Sequence, residues 1–138
     1  MTSGHTITTE PGAARVQVVA GGTTLADSTH ALLLRETGLP TRYYLPRDDV
    51  AMDHLVPTDT TSTCPFKGAA VYWSARIGDT LIADVAWSYP TPIPERADIA
   101  NLICFFDERV DAVLVDGVPV ARSETPWSPS AVESTPTS

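Results

Sequence analysis

One six-residue stretch, Thr63-Cys64-Pro65-Phe66-Lys67-Gly68, gathers the side chains with the most chemical potential. Lys67 is the only lysine in a chain whose other eight basic residues are arginine, and Cys64 is one of two cysteines. A lysine offers what an arginine cannot: a compact point charge, a neutral amine or an imine-forming nitrogen. When desolvated it serves as a base, a Schiff-base nucleophile, or a donor to a ligand carboxylate or carbonyl. Seventeen acidic residues favour a charged ammonium, so anion or carbonyl binding is expected ahead of imine formation. The plainer reading is a solvated lysine, or one paired with a carboxylate. Cys64 also reads in two ways. Cysteine is more often a small buried hydrophobe than a nucleophile. Against that, a loop bounded by proline and glycine is where functional groups tend to sit, and a lysine three positions on lowers a thiol pKa if the loop folds back. Cys104 lies in the apolar run Ile99-Ala100-Asn101-Leu102-Ile103-Cys104-Phe105-Phe106 and is read as core.

Aromatic residues crowd the neighbouring segments: Tyr44, Tyr72, Trp73, Trp87 and Tyr89. Plain core packing accounts for them. The alternative is an aromatic wall around a pocket, in which Lys67 and tyrosine hydroxyls are the few polar groups that orient a ligand. Trp73 and Trp87 are both assigned to the inward alternation of adjacent strands. Among the acids, Asp48, Asp49 and Asp84 are candidates, with Asp49 preferred as a ligand-binding residue, although a carboxylate that only caps a turn looks the same in sequence. His54 and Cys64 would make a thiol–imidazole pair, but a satisfied or exposed histidine is the simpler reading.

The elements that must position these residues are written as β-structure. The chain has 138 residues, which fits one domain, and 43% hydrophobic residues supply a single core. Arg15–Val18 and Thr24–Asp27 flank the two-residue turn Gly21-Gly22. Val71, Trp73, Ala75 and Ile77 alternate with polar neighbours up to the turn Gly78-Asp79, and Leu81, Ala83, Val85 and Trp87 alternate after it. Asp116-Gly117 separates Ala112–Val115 from Val118–Val120. Shorter runs at Leu32–Leu34 and Tyr43–Leu45 make further strands. Helix is scarce: Pro46–Val50 and Pro94–Ala100 each allow about one turn. The expected architecture is mainly β, a small antiparallel sheet or open barrel with one or two short helical turns. Residues 1–13 read as a flexible tail, 14–121 as one β-domain, and 122–138 as a Ser/Thr/Pro-rich tail too poor in apolar residues to order, except where Trp127 docks.

The balance of charge excludes several functions. Nine basic against seventeen acidic residues give a formal net charge of −8. Such a surface repels a phosphate backbone, so no nucleic-acid partner is expected, nor an anionic membrane. No apolar run approaches the roughly 18 residues that span a bilayer, and the first residues lack the pattern of a signal peptide. Two cysteines 40 positions apart do not make a disulfide framework, and the chain reads as cytoplasmic with free thiols, a single disulfide between them being the alternative.

Taken in order, RYYLPRDDV, TCPFKGAAVYW, DVAWSYPTPIPE and IANLICFF resemble the family catalogued as domain of unknown function 427, some members of which carry the label nucleotidyltransferase-like. The resemblance runs from about Arg15 to Val120. It implies a small antiparallel β-fold of the tent-like kind shared with methionine sulfoxide reductase B. The transferase label finds no support in these residues. There is no glycine-rich phosphate loop opening a helix, and phosphoryl chemistry needs positive charge that the chain lacks. The paired Cys-x-x-Cys knuckles of zinc-binding relatives are missing too, so no metal and no cofactor is expected. The resemblance also implies that Lys67 fills a position where the motif carries lysine.

These readings converge on a small-molecule pocket in which Cys64 and Lys67 are the catalytic candidates. Tyr44, Asp49, Tyr72, Trp73, Trp87 and Tyr89 are the ligand-binding ones. If the protein is an enzyme, its chemistry is cofactor-independent acid–base or thiol chemistry on a small polar or carbonyl substrate. The alternative is a non-catalytic interaction module, pairing through a sheet edge or an aromatic surface with another protein or with itself as a homodimer.

Overall fold

The computed structural model describes residues 6–120. The expected tail over 122–138, with Trp127, lies outside the described residues, as do residues 1–5. Eleven strands form two antiparallel sheets. In chain order they are β1 (Ile7–Pro11), β2 (Val16–Ala20), β3 (Thr23–Ser28), β4 (Leu32–Glu36), β5 (Arg42–Leu45), β6 (Leu55–Cys64), β7 (Gly68–Ile77), β8 (Thr80–Ser88), β9 (Ile103–Phe105), β10 (Ala112–Val115) and β11 (Val118–Pro119). The larger sheet has the order β1-β4-β5-β9-β8-β7-β6, the smaller one β11-β10-β2-β3. The protein is mainly β, and neither sheet closes into a barrel. Short helical turns occupy Arg47–Asp49, Met52–His54 and Pro94–Ile99, one more than the sequence suggested.

All three hairpins expected from glycine-containing turns are present. Gly21 and Gly22 both take positive φ, as do Asp116 and Gly117, which gives those two-residue turns the twist that antiparallel strands need. Three strands lie outside what the alternation suggested: β9, in a run read only as core, and two edge strands. β1 pairs with β4 from Ile7↔Glu36 to Pro11↔Leu32, so the expectation of a flexible segment up to residue 13 is corrected over 7–11. The ladder to β4, not apolar content, holds this edge strand. β6 carries Val56-Pro57-Thr58-Asp59-Thr60-Thr61-Ser62-Thr63, almost all exposed, and forms the far edge of the large sheet. An edge strand with one solvated side needs no apolar alternation, and proline, polar side chains and a bulge there discourage pairing with another chain.

The large sheet has two working faces. One packs on the small sheet, where Val16, Val18, Leu25, Leu45, Trp73 and Phe105 share a core. The other carries a second cluster of Leu34, Tyr44, Trp87, Tyr89, Cys104 and Phe106. The ladder explains the second face. Leu32↔Tyr44, Tyr44↔Cys104, Cys104↔Trp87 and Trp87↔Tyr72 are successive partners across five strands, so these side chains form one row.

Trp73 therefore does not join Trp87, which corrects their assignment to one face. A two-residue turn pairs odd-numbered residues with even-numbered ones, so Trp73 opposes Ala86 while Trp87 opposes Tyr72. Trp73 goes to the inter-sheet core, with the Arg47 guanidinium 5.5 Å from its ring centroid.

Candidate functional site

The row of aromatic side chains faces a cavity of about 440 Å³, within the range of small-molecule sites. β4 and β6, the second and the last strands of the large sheet, both contribute to its lining, so the sheet must curl around it. Tyr44 from β5, Tyr72 from β7, Trp87 at the end of β8, and Tyr89 and Phe106 just beyond their strands make the aromatic wall. Tyr44 and Trp87 meet edge to face, with the Trp87 Nε1–H donating to the Tyr44 hydroxyl at 3.1 Å. Tyr72 and Phe106 lie parallel, 8° apart at a centroid distance of 6.3 Å.

Lys67 ends the β6–β7 turn. Its N–H donates to the Cys64 carbonyl at 3.1 Å and its carbonyl accepts from Ile93 at 2.9 Å, which fixes the turn at both ends. Gly68 explains why glycine follows the lysine. It has φ +125°, and a Cβ there would stand 3.0 Å from Pro92 Cα and 3.3 Å from the Ile93 nitrogen. Only glycine lets those two backbones approach so closely. The result is a buried lysine, 8% exposed, whose Nζ donates to Oε1 of Glu36 at the end of β4. The solvated reading of Lys67 is set aside, and its alternative, a carboxylate partner, is what the fold contains.

Cys64 is half-buried at the cavity lip, beside Pro65 and Phe66. Cys104 is fully buried on β9, and desolvation pushes its thiol up from 9.0 to about 12. It is an inert core residue. Burial likewise raises the hydroxyl of Tyr44 well above the ordinary value, and that of Tyr89 too, with the neighbouring Cys64 adding to the Tyr89 shift. Both remain neutral phenols.

A second ion pair, not visible in the sequence, braces the wall. Arg42 on β5 holds Glu108 with both ends of its fork at 2.8 Å, and Asp107 stands 3.4 Å away. Its guanidinium lies 5.2 Å from the Trp87 ring centroid and 5.7 Å from that of Phe106. Burial works to lower the Arg42 pKa, but the bonds to Glu108 and the surrounding acids outweigh it. Arg42 is one of eight arginines, and nothing in its neighbours distinguishes it. Glu36 was equally silent.

The other sequence candidates lie elsewhere. Asp49 accepts from Ser28 Oγ at 2.7 Å and ties a helical turn to β3, away from the cavity. Trp73 faces the other core, as described. His54 precedes β6 while Cys64 ends it, so the length of an extended strand, roughly 30 Å, separates them and no thiol–imidazole pair forms. Asp84 has a structural task. It adopts φ +49° in a bulge of β8, accepts from Thr58 and Thr60 of a matching bulge in β6 at 3.1 and 3.0 Å, and receives Arg109 on its carbonyl at 3.0 Å. Its own N–H donates to Ser74 Oγ on β7, between the two bulges.

Among the described residues, no three His, Cys, Asp or Glu side chains come together as metal ligands. Among the same residues, no helix is long and apolar enough to cross a membrane. No curated protein matches the chain. A family model described as Domain of unknown function (DUF427) matches residues 8–116, a span that contains every cavity-lining residue named above. The chain belongs to the domain of unknown function 427 family.

Proposed function

We propose that this domain binds a small molecule in the aromatic cavity, oriented by Lys67 and bounded at its lip by Cys64. One observation carries the reading. A cavity of about 440 Å³ is lined both by a ring-bearing wall and by a buried Lys67–Glu36 ion pair. An ion pair in such a place is a poor stabilising device. Burying it costs several kcal/mol per ion, and an apolar pair of similar volume often serves stability as well. Its presence in a largely aromatic wall is better explained by a ligand that reads it. The arrangement makes Lys67 an orienting hydrogen-bond donor, because an ammonium committed to a carboxylate is not a neutral nucleophile. Cys64 sits where a thiol would meet the edge of a bound molecule.

Crystals of the full chain soaked with a mixture of small aromatic fragments at millimolar concentration test the proposal. Density inside the cavity, in contact with Lys67 or Glu36, supports it; fragments bound only at other surfaces overturn it. The interaction-module alternative has less behind it. The long β6 edge is bulged, polar and interrupted by Pro57, features that oppose edge-to-edge pairing.

A further inference from the structure

The cavity's polar groups identify the charge class of what it takes, an inference that rests on the cavity being a binding site. Each of its two wall cations is already matched. Lys67 is bonded to Glu36, and Arg42 to Glu108 with Asp107 nearby. A carboxylate or phosphate placed against Lys67 would sit beside the Glu36 carboxylate, and like charges in a buried site oppose one another. To bind an anion, the pair would have to separate and leave Glu36 buried, 6% exposed at its side chain, without its ammonium. An uncharged oxygen requires no such separation. An ammonium has three N–H donors, and the bond to Glu36 uses one.

Two phenols of the wall offer donors as well. Tyr44, 1% exposed, accepts from Trp87, and its own O–H has no acceptor among the described residues. Tyr89, 6% exposed, has no side-chain hydrogen bond among the described residues and also lines the cavity. A phenol proton left unshared at the edge of so enclosed a wall gains from an acceptor that a ligand brings. Because burial holds both phenols in the protonated form, what they lack is an acceptor. The rest of the lining is mostly ring and hydrocarbon, with Leu34, Trp87 and Phe106 prominent, together with the hydroxyls of Ser62, Thr63 and Tyr72, of which Ser62 and Tyr72 are bonded to each other at 2.7 Å.

We propose that the cavity selects an uncharged, ring-bearing molecule with a carbonyl oxygen, which accepts hydrogen bonds from Lys67 and from the hydroxyls of Tyr44 and Tyr89. The Lys67–Glu36 pair then works as a neutral reader that turns anions away.

Three probes of similar size separate the possibilities: benzamide (uncharged, carbonyl-bearing), benzoate (the anion) and toluene (the bare ring). Each is titrated into ¹⁵N-labelled full chain at neutral pH, following the Trp87 Nε1–H resonance. The expected result is saturable displacement by benzamide, about tenfold tighter than by benzoate or toluene, as one unshared buried polar contact allows. Lys67→Met should remove that advantage over toluene. If this variant does not fold, Tyr89→Phe, which removes a hydroxyl but no described hydrogen bond, should narrow the advantage and leave toluene unaffected. Benzoate binding as tightly as benzamide overturns the charge assignment, and toluene doing so overturns the carbonyl assignment; in both cases the cavity remains a binding site. If none of the three moves Trp87, the binding-site reading fails along with this one.

Discussion

Lys67 and Glu36 are joined across 31 positions of sequence and nearly the full width of the large sheet. Glu36 ends β4, the second strand in the sheet order, whereas Lys67 stands in the turn from the last strand, β6, to β7. Strands so far apart in a flat sheet could not share an ion pair. The bond therefore spans the mouth of a curled sheet, closing with two side chains a gap that no strand fills.

This geometry predicts a specific pattern of stabilities. Lys67→Met should cost about 3 kcal/mol, because it takes the Lys67 ammonium away from the buried Glu36 carboxylate. The double variant Lys67→Met with Glu36→Leu should recover most of that loss, since an apolar pair has no charge to desolvate. Urea denaturation of the two variants and the parent checks both expectations; a double variant less stable than the single would contradict them.

Gly68→Ala should destabilise by about 1–3 kcal/mol, the usual cost of a strained backbone position. The added methyl would press on Pro92 and Ile93 and shift the turn that carries Lys67. Its diagnostic outcome is a simultaneous loss of stability and weakening of any ligand held by Lys67, measured by thermal unfolding and titration.

The two thiols should differ sharply. Native protein treated with iodoacetamide at pH 8 should carry label on Cys64 and not on Cys104, read by peptide mass spectrometry, because Cys104 is fully buried and protonated. The same burial sets an alkaline limit. In the folded chain Cys104 keeps its proton to about pH 12, whereas in the unfolded chain it loses it near 9. Between those values the unfolded state binds fewer protons, so stability is complete below about pH 9 and falls as pH rises towards 12. Tyr44 and Tyr89, also raised by burial, steepen the fall above pH 10. Cys104→Ala should flatten the first part of that decline in pH-dependent denaturation.

Trp87 and Trp73 test the two faces of the sheet. Trp87→Phe should weaken fragment binding in the cavity, since it alters the wall and removes the bond to Tyr44. Trp73→Phe should cost about 1–2 kcal/mol of stability through lost packing and leave binding unchanged. Equal effects on binding would mean that the cavity is not where ligands go.

Asp84→Ala should cost about 1–2 kcal/mol, from the lost threonine bonds and a backbone conformation that alanine tolerates poorly. Asp84→Asn should cost less, because asparagine accepts the left-handed conformation. Chemical denaturation ranks the two.

The sequence by itself determined the local structure. Gly21-Gly22, Gly78-Asp79 and Asp116-Gly117 specify their hairpins because positive φ and a two-residue turn are properties of adjacent residues. Apolar alternation marked the central strands for the same reason. The lone lysine beside a cysteine, and the aromatics crowded into the neighbouring segments, also marked Tyr44, Cys64, Lys67, Tyr72, Trp87 and Tyr89 as candidates, and these residues share one cavity. Only the tertiary structure decided which carboxylate meets Lys67 and that Arg42 and Glu108 brace the wall, whereas the opposite facing of Trp73 and Trp87 follows from the parity of the two-residue turn between them. The two ion pairs depend on strand order, curl and register, which bring together residues 31 and 66 positions apart. No feature of the neighbouring residues encodes such a meeting, because the energy that selects it exists only once the sheet has curled and the charges have left water.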